Sequence, residues 1–167
     1  RAYIGISGTA QFGAYSGHNL TVIDIPNWEI AYTVRTHGYP QTSGVLTTAY
    51  EEETGCVYVY FFDNFTPGKL RVLEDKPGQT EVSLKTMETY TASGKSETYT
   101  TPYNIFTPSG AQAQYAICSP IMDEYGTIYF KNGSAYLMAV GSTIERIEVT
   151  KLPDKTTYNV KDTFDPT

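Results

Sequence analysis

The chain has 167 residues, a formal net charge of −6 and 15 tyrosines. This length allows one domain with its own hydrophobic core. Because Tyr and Thr favour a pleated, half-buried surface, the composition predicts an all-β fold. The sequence has no cluster of Lys and Arg, which argues against a nucleic-acid partner, and no apolar run of about 18 residues that would predict membrane insertion.

The first unit of strands covers residues 1–40 and is incomplete. The segments "RAYIGIS" and "HNLTVID" alternate apolar and polar residues, as half-buried strands do. The segment "NWEIAYTV" (Asn27 to Val34) predicts the outer strand of this unit and contains Trp28. Tyr3 takes the place that a tyrosine occupies in both later units.

The second unit, residues 41–86, is more complete. An acidic turn, "EEETG", ends at Gly55, where glycine can supply the positive φ that closes a turn. Alternating strands follow and contain Tyr58 and Leu70. The segment "TEVSLK" predicts the outer strand of this unit.

A polar segment, residues 87–111, separates the second unit from the third. It is rich in Thr, Ser and Gly, and Tyr and Thr recur at alternate positions in parts of it. We therefore interpret it as a long connection that contains one short hairpin, and not as disorder.

The third unit, residues 112–152, repeats the second. When Gly126 is placed over Gly55, the turn "DEYG" falls over "EEETG", and similar strands follow both turns. The segment "IERIEV" predicts the outer strand of the third unit. The equivalent repeat positions are Gly55 with Gly126, Tyr58 with Tyr129, and Leu70 with Leu137.

The segment "ICSPIMDEYGTIYFKNGSAYLMAV" resembles the PQQ-like (quinoprotein-type) β-propeller repeat. Blades of that family read small-Pro-apolar, then Asp-x-x-Gly-Thr-Ile-Tyr, then Gly-x-Leu-x-Ala-Leu. The resemblance covers residues 1–152 and implies a partial propeller of about three four-stranded antiparallel blades, the first of them incomplete. Since closed propellers have about four to eight blades, it also implies remaining blades in a longer parent chain. An irregular β-sandwich is the alternative fold.

The final stretch, "LPDKTTYNVKDTFDPT", resembles the opening strand of a bacterial immunoglobulin-like domain. That family reads Pro-x-Lys-Thr-x-Tyr-x-x-Gly-Asp-x-Phe-Asp-x-Thr, and Lys161 stands here in place of the glycine. We interpret residues 153–167 as a linker and the truncated start of such a domain. The resemblance implies a location outside the cell or on the cell surface of a bacterium.

The two cysteines, Cys56 and Cys118, are too few for a disulfide scaffold and are not spaced as metal ligands. Each lies beside an apolar strand, so we expect two buried free thiols, with a single disulfide as the alternative. Quinoprotein dehydrogenases hold their quinone with a stacked Trp, a vicinal disulfide and a calcium ion. Trp28 in an outer strand and two distant cysteines do not match that site, so we expect no cofactor.

The chain offers little for catalysis. His18 and His37 are its two histidines, and we expect both to bond to the backbone from loops. Ser16 and Asp24 could join His18 in a triad, but closeness in sequence does not give triad geometry. The acidic residues are explained by turn chemistry, although a calcium loop or a glycosidase carboxylate pair stays open. We expect no enzyme activity and no bound metal.

Aromatic residues are the main candidates for ligand binding. Tyr90, Tyr99, Tyr103 and Phe106 all lie in the polar segment, and loops often carry function. Tyr58 and Tyr60 should share one face of a strand, where they either pack between blades or meet a ligand. We predict a non-catalytic module of a larger bacterial cell-surface or secreted protein that binds a glycan, protein or cell-wall partner. The alternatives are a spacer without a ligand and part of a propeller enzyme whose active site lies in missing blades.

Overall fold

The computed structural model describes residues 1–6, 11–12, 15–16, 18–92 and 94–141. In chain order the strands are β1 Ala2–Ile6, β2 Gln11–Phe12, β3 Tyr15–Ser16, β4 Asn19–Asp24, β5 Glu29–Arg35, β6 Val45–Thr47, β7 Val57–Asp63, β8 Lys69–Asp75, β9 Lys85–Ala92, β10 Lys95–Phe106, β11 Ile121–Met122, β12 Ile128–Lys131 and β13 Leu137–Val140. One short helix, α1, spans Glu51–Thr54, and a 3₁₀ turn spans Gly110–Gln112. Neither helical segment has the length or hydropathy that crossing a bilayer requires, and these are the helices of the described residues.

The strands form three larger antiparallel sheets and a small hairpin. The first sheet has the order β1-β4-β5, the second β6-β7-β8-β10-β9 and the third β11-β12-β13, while β2 pairs with β3. The predicted all-β fold is therefore confirmed. The first and third sheets each have three strands among the described residues.

The second sheet differs from its prediction at its outer side. Residues 80–84, which include most of the predicted strand "TEVSLK", form bends and coil instead. The strand beside β8 is β10, and β9 pairs with β10 in a long hairpin. Most of the segment that we interpreted as a connection therefore belongs to the second sheet.

The other predicted outer strands have different outcomes. In the first sheet, β5 lies where the outer strand was expected, but Trp28 precedes it in a turn, with φ 56 and a side chain 82% exposed. The strand predicted at "IERIEV" and the immunoglobulin-like segment at residues 153–167 lie outside the described residues.

The repeated turns close as the sequence predicts. Gly55 and Gly126 both adopt left-handed backbone conformations, with φ of 69 and 83. Tyr58 and Tyr129 occupy equivalent places in the strands that follow, and both are half-buried.

The leucine equivalence does not extend to burial. Leu70 is fully buried, whereas Leu137 is 76% exposed. In the paired strands Leu73 lies opposite Val59, and Met138 lies opposite Phe130. In the structure Met138 is therefore the counterpart of Leu73. The sequence alignment that places Leu70 over Leu137 would instead place Leu73 over Val140, two residues further along.

The second sheet supplies apolar side chains to two clusters, one on each face. Val59, Phe61 and Leu73 pack with Leu20, Val22, Tyr32, Val34 and Val82 in a cluster shared with the first sheet. On the other face, Phe62 and Leu70 pack with Ala116, Ile128 and Phe130 in a cluster shared with the third sheet. This division follows from the period of two along a strand, which directs neighbouring side chains to opposite faces.

Candidate functional site

An open groove lined by tyrosines lies where the turns of the second and third sheets meet. One part, of about 220 Å³, is lined by residues that include Tyr50, Tyr60, Met122 and Tyr125. An adjoining part, of about 350 Å³, is lined by Tyr50, Glu53, Thr54, Tyr58 and Tyr60. We call Tyr50, Tyr58, Tyr60 and Tyr125 the tyrosine groove.

The local structure explains how these four rings are placed. Tyr58 and Tyr60 alternate along β7 with the buried Val59 and Phe61, so they lie on the opposite face. Tyr50 is the residue before α1, and its ring lies edge-on to that of Tyr58, with centroids 6.0 Å apart. The Tyr50 side chain is 54% exposed.

Tyr125 comes from the third sheet, inside the turn between β11 and β12, and is 81% exposed. Oδ1 of Asp123 accepts hydrogen bonds from the backbone N–H groups of Tyr125 and Thr127, at 3.0 and 2.8 Å. The Tyr129 hydroxyl donates to Oδ2 of Asp123 at 3.0 Å. Asp123 thus fixes the turn that carries Tyr125, which supports the interpretation of this acid as turn chemistry.

The electrostatics of the groove follow from these contacts. Slight burial alone would raise the pKa of Asp123, but the hydrogen bonds from Thr127, Tyr129 and Tyr125 lower it below its usual range. Burial, together with the neighbouring Tyr50 and Tyr58, raises the pKa of Tyr60. Near neutral pH the groove therefore offers the neutral phenol of Tyr60 and the ionised carboxylate of Asp123. The exposed Glu53 and Glu124 also line it.

The four aromatic residues predicted as ligand contacts lie in different surroundings. Tyr99 is 9% exposed and lies under Arg35, whose guanidinium carbon is 4.4 Å from the ring centroid. Phe106 packs against the cluster around Phe130, with ring centroids 6.0 Å apart. Tyr103 is 46% exposed, and the side chain of Tyr90 lies outside the described residues. A ligand role for this set stays a prediction.

Sequence reasoning noted Tyr58 and Tyr60 but missed Tyr50 and Tyr125. The missed signal is a tyrosine in each repeated acidic turn, in "YEEETG" and "DEYG". The acids and the glycines of these turns align in the repeat, but the two tyrosines stand at different positions of it, so the alignment gives no sign that they meet.

A buried polar network forms a second cluster, at one end of the second sheet. Arg71 donates through Nε to Asp63 at 2.7 Å and through Nη2 to Glu88 at 2.9 Å. Lys69 Nζ lies 3.0 Å from the same Glu88 carboxylate. Burial raises the pKa of Glu88, but the hydrogen bonds and charges of Arg71 and Lys69 outweigh this and hold it below its usual range.

His37 borders this network and does not bond only to the backbone. Its Nδ1 lies 2.9 Å from the Tyr99 hydroxyl and 3.8 Å from Glu88 Oε2. Burial and the positive charge of Lys69 lower the pKa of His37. The carboxylates of Asp63 and Glu88 face two cations, so the charges of the network balance. Its contacts join the loop of His37 to β8, β9 and β10.

The remaining candidates are placed as follows. His18 packs edge-on against Tyr39, with ring centroids 4.1 Å apart, while the side chain of Ser16 lies outside the described residues. Both cysteines are free thiols. Cys56 is buried as expected, but the prediction of a buried thiol is wrong for Cys118, which is exposed in a stretch of coil and bend at residues 113–120, outside the strands. Within the described ranges, no three His, Cys, Asp or Glu side chains are grouped to hold a metal ion.

No protein-family model and no curated protein matches this chain.

Proposed function

We propose that this chain is a non-catalytic binding module of a larger bacterial cell-surface or secreted protein, and that it binds a glycan in the tyrosine groove. The observation that carries the proposal is the exposure of Tyr50 and Tyr125, which come from two different sheets and line one groove. A spacer would instead bury such rings between its sheets.

The chemistry of the groove suits a sugar. A tyrosine face covers the apolar face of a pyranose ring, while its hydroxyl keeps a hydrogen bond to water or ligand. Glu53 and Glu124 can accept hydrogen bonds from sugar hydroxyls beside these faces. Half-buried Tyr58 and Tyr60 form the floor, which limits the loss of side-chain entropy on binding.

We further propose that the three sheets are blades of a partial PQQ-like β-propeller. In each sheet the strand that carries the repeated tyrosine, Tyr3, Tyr58 or Tyr129, pairs antiparallel with a later strand of the same sheet. The sheets also share apolar clusters in chain order, first with second and second with third. A location on the bacterial surface rests on the resemblance of residues 153–167 to an immunoglobulin-like domain.

The test is binding of the chain to a panel of bacterial cell-wall and host oligosaccharides, followed by calorimetry on any ligand found. Tyr125→Ala should weaken binding by about tenfold, as expected for the loss of one stacked ring. Tyr136→Ala removes another exposed tyrosine, which does not line the groove, and this variant should bind as the unsubstituted chain does. Tyr103→Ala tests the site predicted from sequence.

Two outcomes would overturn the proposal. One is the absence of saturable binding to every oligosaccharide of the panel. The other is binding that Tyr50→Ala and Tyr125→Ala leave unchanged. A loss with Tyr103→Ala alone would move the ligand to the β9–β10 hairpin.

A further inference from the structure

The two parts of the tyrosine groove share two rings and differ in the acidic residues beside them. Tyr50 and Tyr60 line both parts. Glu53, from α1, lines one part. Asp123 and Glu124, from the turn before β12, line the other. A ligand that covers the shared rings therefore reaches carboxylates from two separate turns.

The groove carries a local excess of negative charge. Residues 47–60 and 119–126, which supply the lining of both parts, contain five acidic residues and no Lys, Arg or His. None of the ion pairs formed by the described residues involves Glu53 or Glu124. Asp123 uses its oxygens to hold the turn, so its charge is fixed in place. The groove thus holds carboxylates that no cationic side chain of the described residues neutralises.

Tyrosine rings beside carboxylates suit one kind of ligand group, a cation. The face of an aromatic ring is partly negative and attracts an ammonium group within about 6 Å of its centroid. The rings of Tyr50 and Tyr58 are perpendicular to each other, with centroids 6.0 Å apart, so their faces point in different directions as the walls of an aromatic cage do. An anionic ligand would instead be repelled by the carboxylates.

We propose that the glycan bound in the tyrosine groove is cationic, built from amino sugars whose amino groups are free and protonated. Its sugar rings would stack on tyrosine, and its ammonium groups would lie beside the shared rings and the carboxylates of Glu53 and Glu124. A protonated amine donates three hydrogen bonds, which carboxylate and phenol oxygens accept. This inference rests on the proposed function and narrows it to one class of glycan.

The test compares two oligosaccharides by calorimetry at about pH 6. One is the tetramer of glucosamine, whose amines are protonated, and the other is the tetramer of N-acetylglucosamine, its neutral counterpart. We expect the cationic tetramer to bind about tenfold more tightly, because it adds ammonium contacts to the same stacking. Added salt should reduce this preference, since screening weakens interactions between exposed charges. Tyr125→Ala should weaken the binding of both tetramers.

Glu53→Gln and Glu124→Gln test the carboxylates themselves. Each variant should bind the cationic tetramer about threefold more weakly and the neutral tetramer unchanged, because the amide keeps the size of the side chain and loses its charge. Glu29→Gln is the matched control. It removes the same charge from an exposed site on the first sheet that does not line the groove, and it should change neither affinity.

Three results would overturn the inference. The first is equal or weaker binding of the cationic tetramer, and the second is a preference that Glu53→Gln and Glu124→Gln both leave unchanged. The third is an equal loss with Glu29→Gln, which would assign the preference to the net charge of −6. In each case, binding of the neutral tetramer that Tyr125→Ala weakens would leave the proposed function standing. Failure of both tetramers to bind overturns the inference, and the wider oligosaccharide panel then decides the proposed function separately.

Discussion

The two faces of the second sheet are built in different ways. On the face shared with the first sheet, Val59, Phe61 and Leu73 are apolar, and a buried carboxylate stands at each end. Asp63 accepts from Arg71 and from the backbone N–H of Lys69, at 2.7 and 2.9 Å.

At the other end of the same face, Asp75 accepts from three donors. Arg1 Nη1 lies 2.6 Å from it, and the hydroxyls of Tyr3 and Tyr32 each lie at 2.8 Å. Burial and these bonds to Asp75 raise the pKa of both tyrosines, so they remain protonated donors. These bonds to Asp75 join the first sheet to the second. Asp63 and Arg71, at the other end, both belong to the second sheet, and His37 from the loop after β5 reaches that end through the Tyr99 hydroxyl.

The face shared with the third sheet relies on apolar packing. Phe62 and Phe130 meet with ring centroids 4.5 Å apart, and Leu70 and Ile128 complete the centre. None of the ion pairs formed by the described residues involves the third sheet. We expect directional buried contacts to select one arrangement more strongly than apolar contacts do here, and the two interfaces therefore to respond differently to mutation, acid and heat.

Arg71→Met should have the largest effect. It leaves Asp63 fully buried without its guanidinium partner and takes one of two cations from Glu88. Breaking a buried pair in this way costs about 3–5 kcal/mol of unfolding free energy. Chemical denaturation measures this loss, and Glu97→Gln, which removes an exposed pair with Arg35, should leave the midpoint almost unchanged. Equal denaturation midpoints for Arg71→Met and the unsubstituted chain would mean that the charged network does not stabilise this face.

Phe130→Ala tests the apolar face. Phe130 is 3% exposed and contacts both Phe62 and Phe106, so truncation should cost about 3 kcal/mol. The substitution should accelerate amide hydrogen exchange in β11–β13 more than in β4 and β5, because it leaves the packing between the first and second sheets untouched. A uniform acceleration in all three sheets would mean that they unfold as one unit. The two faces of the second sheet would then not differ in stability.

Gly126→Val and Gly55→Val compare the turns of the third and second sheets. Both glycines have positive φ, and an added Cβ would meet no atom within 4 Å at either site, so the cost is conformational. We expect a loss of about 1–3 kcal/mol in each case. Asn replacements should cost less, because Asn tolerates the left-handed region. Thermal unfolding measures these losses, and an unchanged midpoint for Gly126→Val would contradict the observed turn.

Acid should weaken the face of the second sheet that is shared with the first sheet before it weakens the other face. This effect should be the smallest of the four predicted here. The pKa of His37 is lowered by burial and by Lys69, so the unfolded chain binds a proton more readily than the folded chain does. The unfolding free energy should therefore fall as pH decreases through the ordinary histidine value of 6.5 towards the lower folded value. His37→Gln should reduce this fall in denaturation curves between pH 7 and 5. If the unfolding free energy falls equally with pH in His37→Gln and in the unsubstituted chain, the fall comes from another group. His18 is the next candidate, because burial lowers its pKa too.

Local features of the sequence predicted the fold best. The acidic turns at Gly55 and Gly126 and the strand at β5 depend on neighbouring residues, whose conformational preferences act without help from the rest of the chain. The alternation in β7 also predicted which residues would face apart, and Val59 and Phe61 are indeed buried together.

Pairings between distant residues were harder to predict. The hairpin β9–β10 carries Thr on exposed positions of both strands, such as Thr89 opposite Thr98, and this polar pattern resembles a connection. The exposure of Leu137 depends on what covers the third sheet, which the letters of the repeat do not encode. The tyrosine groove joins turns from two sheets, so no single segment of the sequence contains it.

The unequal exposure of the two cysteines provides an internal reference for local opening. Cys118 is exposed, so an alkylating reagent reaches it in the native state, whereas Cys56 is 6% exposed, directly before β7. Because Cys56 reacts only when its surroundings open, the ratio of the two alkylation rates reports how often the end of α1 separates from the second sheet. One mass spectrum of a partly alkylated sample would give both rates from the same molecules.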